Sequence, residues 1–190
     1  MLKDHIKESI GLQGRLLEDA GLHTTFDLVV DLVVAAFRSG NKVLAAGNGG
    51  SAADAQHFTA EFMGKYKMVR AAWPAIALTA DSAIVTAWGN DHSYDGIFER
   101  QIEGLGKPGD VLFVFSTSGN SKNVLLALAA AKKINIATVA MLGNDGGKAK
   151  GLADHEVIIP SNNTARIQEA HKLIYHSLAE EIEKRCVTLA

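Results

Sequence analysis

Hydrophobic and polar positions follow two rhythms along this chain. Over residues 2–20 apolar side chains recur at helical spacing, and residues 25–38 read as a second helix. In that second stretch Asp27, Asp31 and Arg38 form a narrow polar stripe among Leu28, Val29, Val30, Leu32, Val33 and Val34. So narrow a stripe implies burial on most sides. Thr24 is expected to cap this helix, with Asp27 three residues on, and Gly40 to end it. From residue 43 the rhythm changes. Short apolar runs at Val43–Ala46, Ala75–Leu78, Val111–Phe115, Ile136–Met141 and Glu156–Ile159 alternate with helical stretches near 51–63, 82–88, 94–104, 121–133 and 147–151. A long helix over about 164–185 closes the series. Continuous apolar strands between helices predict an α/β fold, a three-layer sandwich around a five-stranded parallel sheet covered on both faces. The two leading helices have no strand partner, so they must pack on the sheet or on another subunit. The first is expected at a subunit interface, which makes the chain a homo-oligomer. No repeat, low-complexity tract or linker divides the sequence, so residues 1–190 read as one domain with 1–40 as its N-terminal helices.

Composition narrows the function classes. Apolar residues are 47% and charged residues 21% of the 190, a globular balance with enough length for one real core. Lys plus Arg is 19 against 21 for Asp plus Glu. A chain that is nearly neutral is poorly suited to gripping nucleic acid through its phosphates. The single Cys186 rules out an intrachain disulfide and fits a reducing compartment. The charged start Met1-Leu2-Lys3-Asp4-His5 has no signal-peptide run, and the apolar stretches read as far short of a membrane span. The expectation is a soluble cytoplasmic protein with no membrane partner.

Four motifs carry candidate chemistry. Gly47-Asn48-Gly49-Gly50-Ser51 follows one strand and precedes a helix that Ser51 is expected to cap. Its glycines permit a sharp turn and close approach to a ligand. Ala52 stands where a dinucleotide fingerprint needs glycine. Ser116-Thr117-Ser118-Gly119-Asn120-Ser121 again joins a strand to a helix. Hydroxyls and helix N–H groups there suit a phosphoryl group, and with no lysine in the loop the arrangement fits a monophosphate rather than a nucleoside triphosphate. His57 and Glu61 sit four apart on one helix face, where they could share a metal or a proton or form a plain surface pair. In the last helix Gln168 and His176 are about 12 Å apart along the axis, and spacing alone would sooner pair Gln168 with His171. Gln168 and His176 reach one metal only if it lies midway or if two subunits supply them. Asn90 and Asp91, read as loop polars after Gly89, could bind sugar hydroxyls or make an Asx turn.

Together these strings resemble the sugar isomerase (SIS) domain family and, more closely, its bacterial phosphoheptose isomerase branch. The likeness runs over almost the whole chain. It implies a flavodoxin-like sheet, a homotetramer with active sites at subunit interfaces, and interconversion of sedoheptulose 7-phosphate with D-glycero-D-manno-heptose 7-phosphate, the first step of heptose synthesis for lipopolysaccharide or related glycans. It implies that Asn48, Gly49, Gly50 and Ser51 line the sugar phosphate, that Ser116, Thr117, Ser118 and Ser121 hold the phosphate, and that Asn90 and Asp91 touch hydroxyls. It assigns one Zn2+ per subunit to His57, Glu61, Gln168 and His176, and makes Glu61 and His176 the acid/base pair. It thereby chooses His176 over His171. Two positions depart from the family pattern: Lys65 where an arginine is expected, and Ala165 where some members carry aspartate. The rival implication is a non-catalytic phosphosugar-binding relative that associates with the replication initiator DnaA. Such relatives typically lack the acid at position 61 and the histidine at position 176, both present here.

Overall fold

The computed structural model describes residues 1–188. Two helices lead, α1 (Leu2–Leu17) and α2 (Ala20–Arg38). Strand and helix then alternate: β1 (Val43–Gly47), α3 (Gly50–Met63), β2 (Ala75–Ala77), α4 (Ser82–Asp91), α5 (Ile97–Leu105), β3 (Val111–Ser116), α6 (Lys122–Lys133), β4 (Ala137–Gly143), β5 (His155–Ile159) and α7 (Thr164–Thr188). Short 3-10 turns occupy Tyr94–Gly96 and Gly147–Ala149. All strand pairs are parallel, in the order β2-β1-β3-β4-β5. That is the flavodoxin-like order.

The pleat explains the layers. Val43, Ala45, Val111, Phe113, Phe115, Val139 and Met141 point into a core shared with α1, α2, α3 and α7. Their neighbours Leu44, Ala46, Leu112, Val114, Ala140 and Leu142 point into a second core with α5 and α6. Because both faces are covered, the central strands read as unbroken apolar runs.

Several boundaries differ from the sequence reading, each for a physical reason. Helix α2 starts five residues early because Leu22 already belongs to its apolar face. Asp19 caps it, its carboxylate accepting the Leu22 N–H at 3.0 Å, while Thr24 lies inside the helix and donates its hydroxyl to Ala20 O. Asp19 must leave the helical path to do this, so α1 stops at Leu17. Gly40, at φ 75°, ends α2 as expected.

By length and composition α2, with 19 residues, is apolar enough to cross a membrane, a property that counting unbroken apolar runs misses. In the fold it buries Val29, Val30, Val33, Val34, Ala36 and Phe37 in the core beside α7. Thus α2 completes one helical layer of the sheet. Helix α1 is more peripheral. It buries Leu12 and Leu16 and leaves Leu2, Ile6, Ile10 and Leu17 exposed.

Candidate active site

The carboxyl ends of β1 and β3 are neighbours, yet the chain leaves β1 towards the α3 layer and β3 towards the α6 layer. Such a switch point opens a crevice where open α/β sheets bind ligands. Both candidate loops border it. After β1, Gly49 itself is the N-cap of α3, at φ 57°. The expected cap, Ser51, is instead buried within the first turn, because the glycine pair lets the chain enter the helix two residues sooner. After β3, Gly119 N–H donates to Ser116 Oγ at 3.1 Å and Asn120 N–H to Ser118 Oγ at 3.2 Å, which fixes the hydroxyl loop. Thr117 lies half-buried between them. Ser121 is the N-cap of α6, and its hydroxyl makes no capping bond. The Lys122 and Asn123 N–H groups open the helix without a cap from Ser121, the kind of helix start that favours an anion.

A bridge ties the two loops across the switch point. Asn48 and Asn123 exchange Nδ2–H···Oδ1 bonds, each 2.9 Å, and Tyr94 Oη donates to Asn48 Oδ1 at 2.9 Å. Neither Asn123 nor Tyr94 stood out in the sequence. The asparagine that follows Ser121 by two places, on a helix starting at a ligand loop, was the available signal. Asn90 and Asp91 prove to be the last residues of α4 rather than loop polars. Both are exposed, with Asn90 Nδ2 donating to Asp91 Oδ1 at 2.8 Å.

The third constellation forms where α3 and α7 pack. His57 Nε2 lies 2.9 Å from Glu61 Oε1 and 3.3 Å from His176 Nε2, and His176 Nε2 lies 3.7 Å from the same carboxylate oxygen. One ligand atom from each of the three falls within 4.8 Å of the others. Burial, and then the neighbouring His57, push the His176 imidazole below its ordinary pKa, which keeps its lone pair available. Two imidazoles and one carboxylate are a donor set that zinc accepts in catalytic sites.

The Gln168 amide packs against Gly50, where an added Cβ would strike it. Gly50 and His57 are seven residues apart and so share one face of α3. His171 is fully buried; its Nε2–H donates to Leu142 O at 3.0 Å, and burial lowers its pKa to about 4. It is a core histidine, so the geometry sides with His176. Lys65 and Ala165 are both exposed and stand outside the cluster.

The C-terminal end of α3, which carries Glu61, is clamped from outside. Arg70 donates to Glu61 O at 2.7 Å and Phe62 O at 2.9 Å, and its Nε pairs with Glu183 Oε1 at 2.9 Å. Glu183 also accepts the N–H groups of Tyr66, Lys67 and Met68. Burial alone would raise this carboxyl, but these donors hold it below the usual carboxylate range. The Tyr66 ring, fixed by that contact, stacks on His176 at 5.8 Å between centroids.

Fold and site thus define a protein with a hydroxyl-rich loop at a sheet switch point and a titratable His/Glu cluster where α3 packs on α7. The SIS domain family model matches residues 14–143. The phosphoheptose isomerase of Clostridium acetobutylicum is 48% identical over 183 residues, covering 96% of this chain and 93% of that protein. Among solved structures, phosphoheptose isomerase GmhA from Neisseria gonorrhoeae superposes with a TM-score of 0.89 at 38% identity, covering 96% of this chain and 97% of the other. A phosphoheptose isomerase from Francisella tularensis gives 0.92 at 35% identity, covering 96% of each. The chain belongs to the phosphoheptose isomerase family of SIS domain proteins and is a sugar-phosphate isomerase. The reading as a DnaA-binding relative gains no support from these likenesses.

Proposed function

We propose that this enzyme interconverts sedoheptulose 7-phosphate and D-glycero-D-manno-heptose 7-phosphate, opening a heptose route to surface glycans. The observation that carries the proposal is Glu61 standing between two imidazoles, 2.9 Å from His57 and 3.7 Å from His176, on the helix that the glycine-rich loop opens. Ser116, Thr117, Ser118 and Ser121, with the N–H groups opening α6, hold the phosphate. Asn48, Gly49, Gly50 and Ser51 line the sugar, and Asn90 and Asp91 meet its hydroxyls.

The reaction moves one proton between adjacent carbons through an enediol. Glu61 takes the proton beside the carbonyl, and His176 moves protons between the two oxygens. Both groups reach one point in space, as a proton relay requires. His57, Glu61 and His176 fit a zinc ion, with Gln168 as the expected fourth ligand, and bound zinc would polarise the carbonyl and stabilise negative charge on its oxygen. In this chain the Gln168 amide packs against Gly50, so completing the set requires it to turn from there or to come from a neighbouring subunit. Since a tight ligand is a poor base, Glu61 binds the ion weakly. The working assembly is a homotetramer in the cytoplasm, with α1 at a subunit interface.

The decisive experiment follows sedoheptulose 7-phosphate turnover before and after chelation, with zinc added back. Loss on chelation and recovery with zinc is the expected result. Turnover indifferent to chelation keeps the enzyme and removes the metal, and no turnover in any state overturns the substrate assignment.

A further inference from the structure

Behind His57 lies a second line of polar groups that the acid/base chemistry does not use. His57 turns Nε2 towards Glu61 and His176, while its other nitrogen, Nδ1, lies 3.1 Å from the Tyr175 hydroxyl. Tyr175 is fully buried on α7, set edge-on to the His57 ring and packed against Phe58 and Phe115. Beside its hydroxyl stands the carboxylate of Asp54, one turn before His57 on α3. Asp54 is only 5% exposed, and among the described residues the Tyr175 hydroxyl is the donor that acts on its carboxylate, whose Oδ2 otherwise lacks a partner. An orphaned carboxylate oxygen is costly in an interior. Asp54 is satisfied to the extent that the Tyr175 hydroxyl turns to it.

The hydroxyl of Tyr175 is such a donor, because a phenol can donate one hydrogen and accept another. While the ring hydrogen of His57 sits on Nε2 and points at Glu61, Nδ1 is a lone pair and accepts from Tyr175. A metal at Nε2 needs the lone pair there, so the ring hydrogen must move to Nδ1. Nδ1–H then donates to the Tyr175 oxygen, and the phenol hydrogen swings to Asp54. The half-exposed ring loses a proton to water at Nε2 and regains one at Nδ1, staying neutral throughout. A phenylalanine would fill the same apolar space, so the hydroxyl is what packing leaves unexplained.

We propose that Tyr175 and Asp54 are positioning residues that switch His57 between the tautomer paired with Glu61 and the tautomer that ligates a metal ion. The inference rests on the metal reading above. Its test is zinc affinity, measured by competition with a chromogenic chelator, for the wild-type chain and for Tyr175→Phe. The same samples, labelled with 15N histidine, report which ring nitrogen carries the hydrogen. The expected result is a loss of zinc affinity of about ten- to a hundredfold in Tyr175→Phe, the usual penalty for removing an outer partner of a metal ligand. In the wild-type chain zinc should move the His57 hydrogen from Nε2 to Nδ1. Zinc affinity within twofold of wild type in Tyr175→Phe overturns the proposal. So does a zinc-loaded wild type whose His57 binds through Nδ1, a measurement that does not depend on the variant folding. A wild-type chain that fails to bind zinc overturns the metal reading, and this one with it.

Discussion

Glu61 and His171 show how differently two titratable side chains of one fold can be used. Glu61 is partly exposed where α3 packs on α7, held from its backbone by Arg70 and from its side chain by His57. Replacing it with glutamine keeps the shape and removes the carboxylate proposed as the base. Glu61→Gln should therefore retain the fold and bind inorganic phosphate normally, while turnover falls by about 10²- to 10⁴-fold. Near wild-type rates would take Glu61 out of the mechanism. His171 has no such freedom. Its buried ring has a pKa of about 4 against an ordinary 6.5, and its Nδ1 has no partner. Between those two values the unfolded chain binds a proton that the folded chain refuses. Stability is therefore complete above pH 6.5 and drains away as pH falls towards 4, at about 1.4 kcal/mol per unit, roughly 3 kcal/mol in all. His171→Gln can still donate to Leu142 O but does not titrate, so its denaturation midpoints should fall less steeply over that range. Parallel pH profiles for the two proteins would refute the assignment. Spacing favoured His171, three residues from Gln168 and so on its face of the helix, over His176, eight residues away. Burial decides between them, and burial is a property of the packed α7.

At the scale of elements, the alternation of apolar runs and helical stretches was enough to place every strand, because a sheet buried on both faces leaves no ambiguity of period. What it could not place were ends and crossings. Caps depend on which of several nearby polar side chains wins, as Asp19 did over Thr24. The Asn48–Asn123 bridge links residues 75 apart in sequence, and no local pattern announces it. Glycines in the ligand loops were legible as turns, but not what each one makes room for. Gly119 has a φ of 62°, and a Cβ built on it would collide with the Gly146 carbonyl, a backbone atom that cannot step aside. Alanine in a left-handed conformation costs about 1–2 kcal/mol before any collision is counted. Gly119→Ala should thus lower unfolding stability by at least that amount. It should also raise KM for the sugar phosphate, because the loop from Ser116 to Ser121 must move. Denaturant unfolding and steady-state kinetics check both halves, and a variant unchanged in either would show a softer loop than the structure implies.

For the whole molecule, the question is what covers the apolar side chains left outside. Ile10 and Leu17 of α1, Leu22 and Phe26 of α2 and Leu173 of α7 line one apolar groove. Leu17 is 69% and Leu173 is 52% exposed in the single chain. Contiguous apolar patches of this kind mark contact surfaces. The same face borders the site, because Leu173 lies three residues before His176 on α7. If the fourth ligand crosses from a neighbour, assembly and metal binding are one event. Leu173→Glu places a charge in the groove at a residue outside the buried core, which α7 enters through Ile174, Leu178 and Ile182. The expected outcome is a smaller species by light scattering, with unchanged helical circular dichroism and lower affinity for zinc. A variant that keeps its full mass would move the interface elsewhere. One that dissociates yet binds zinc as tightly as before would place all the metal ligands within one chain, and Gln168 would then have to leave Gly50 to join them.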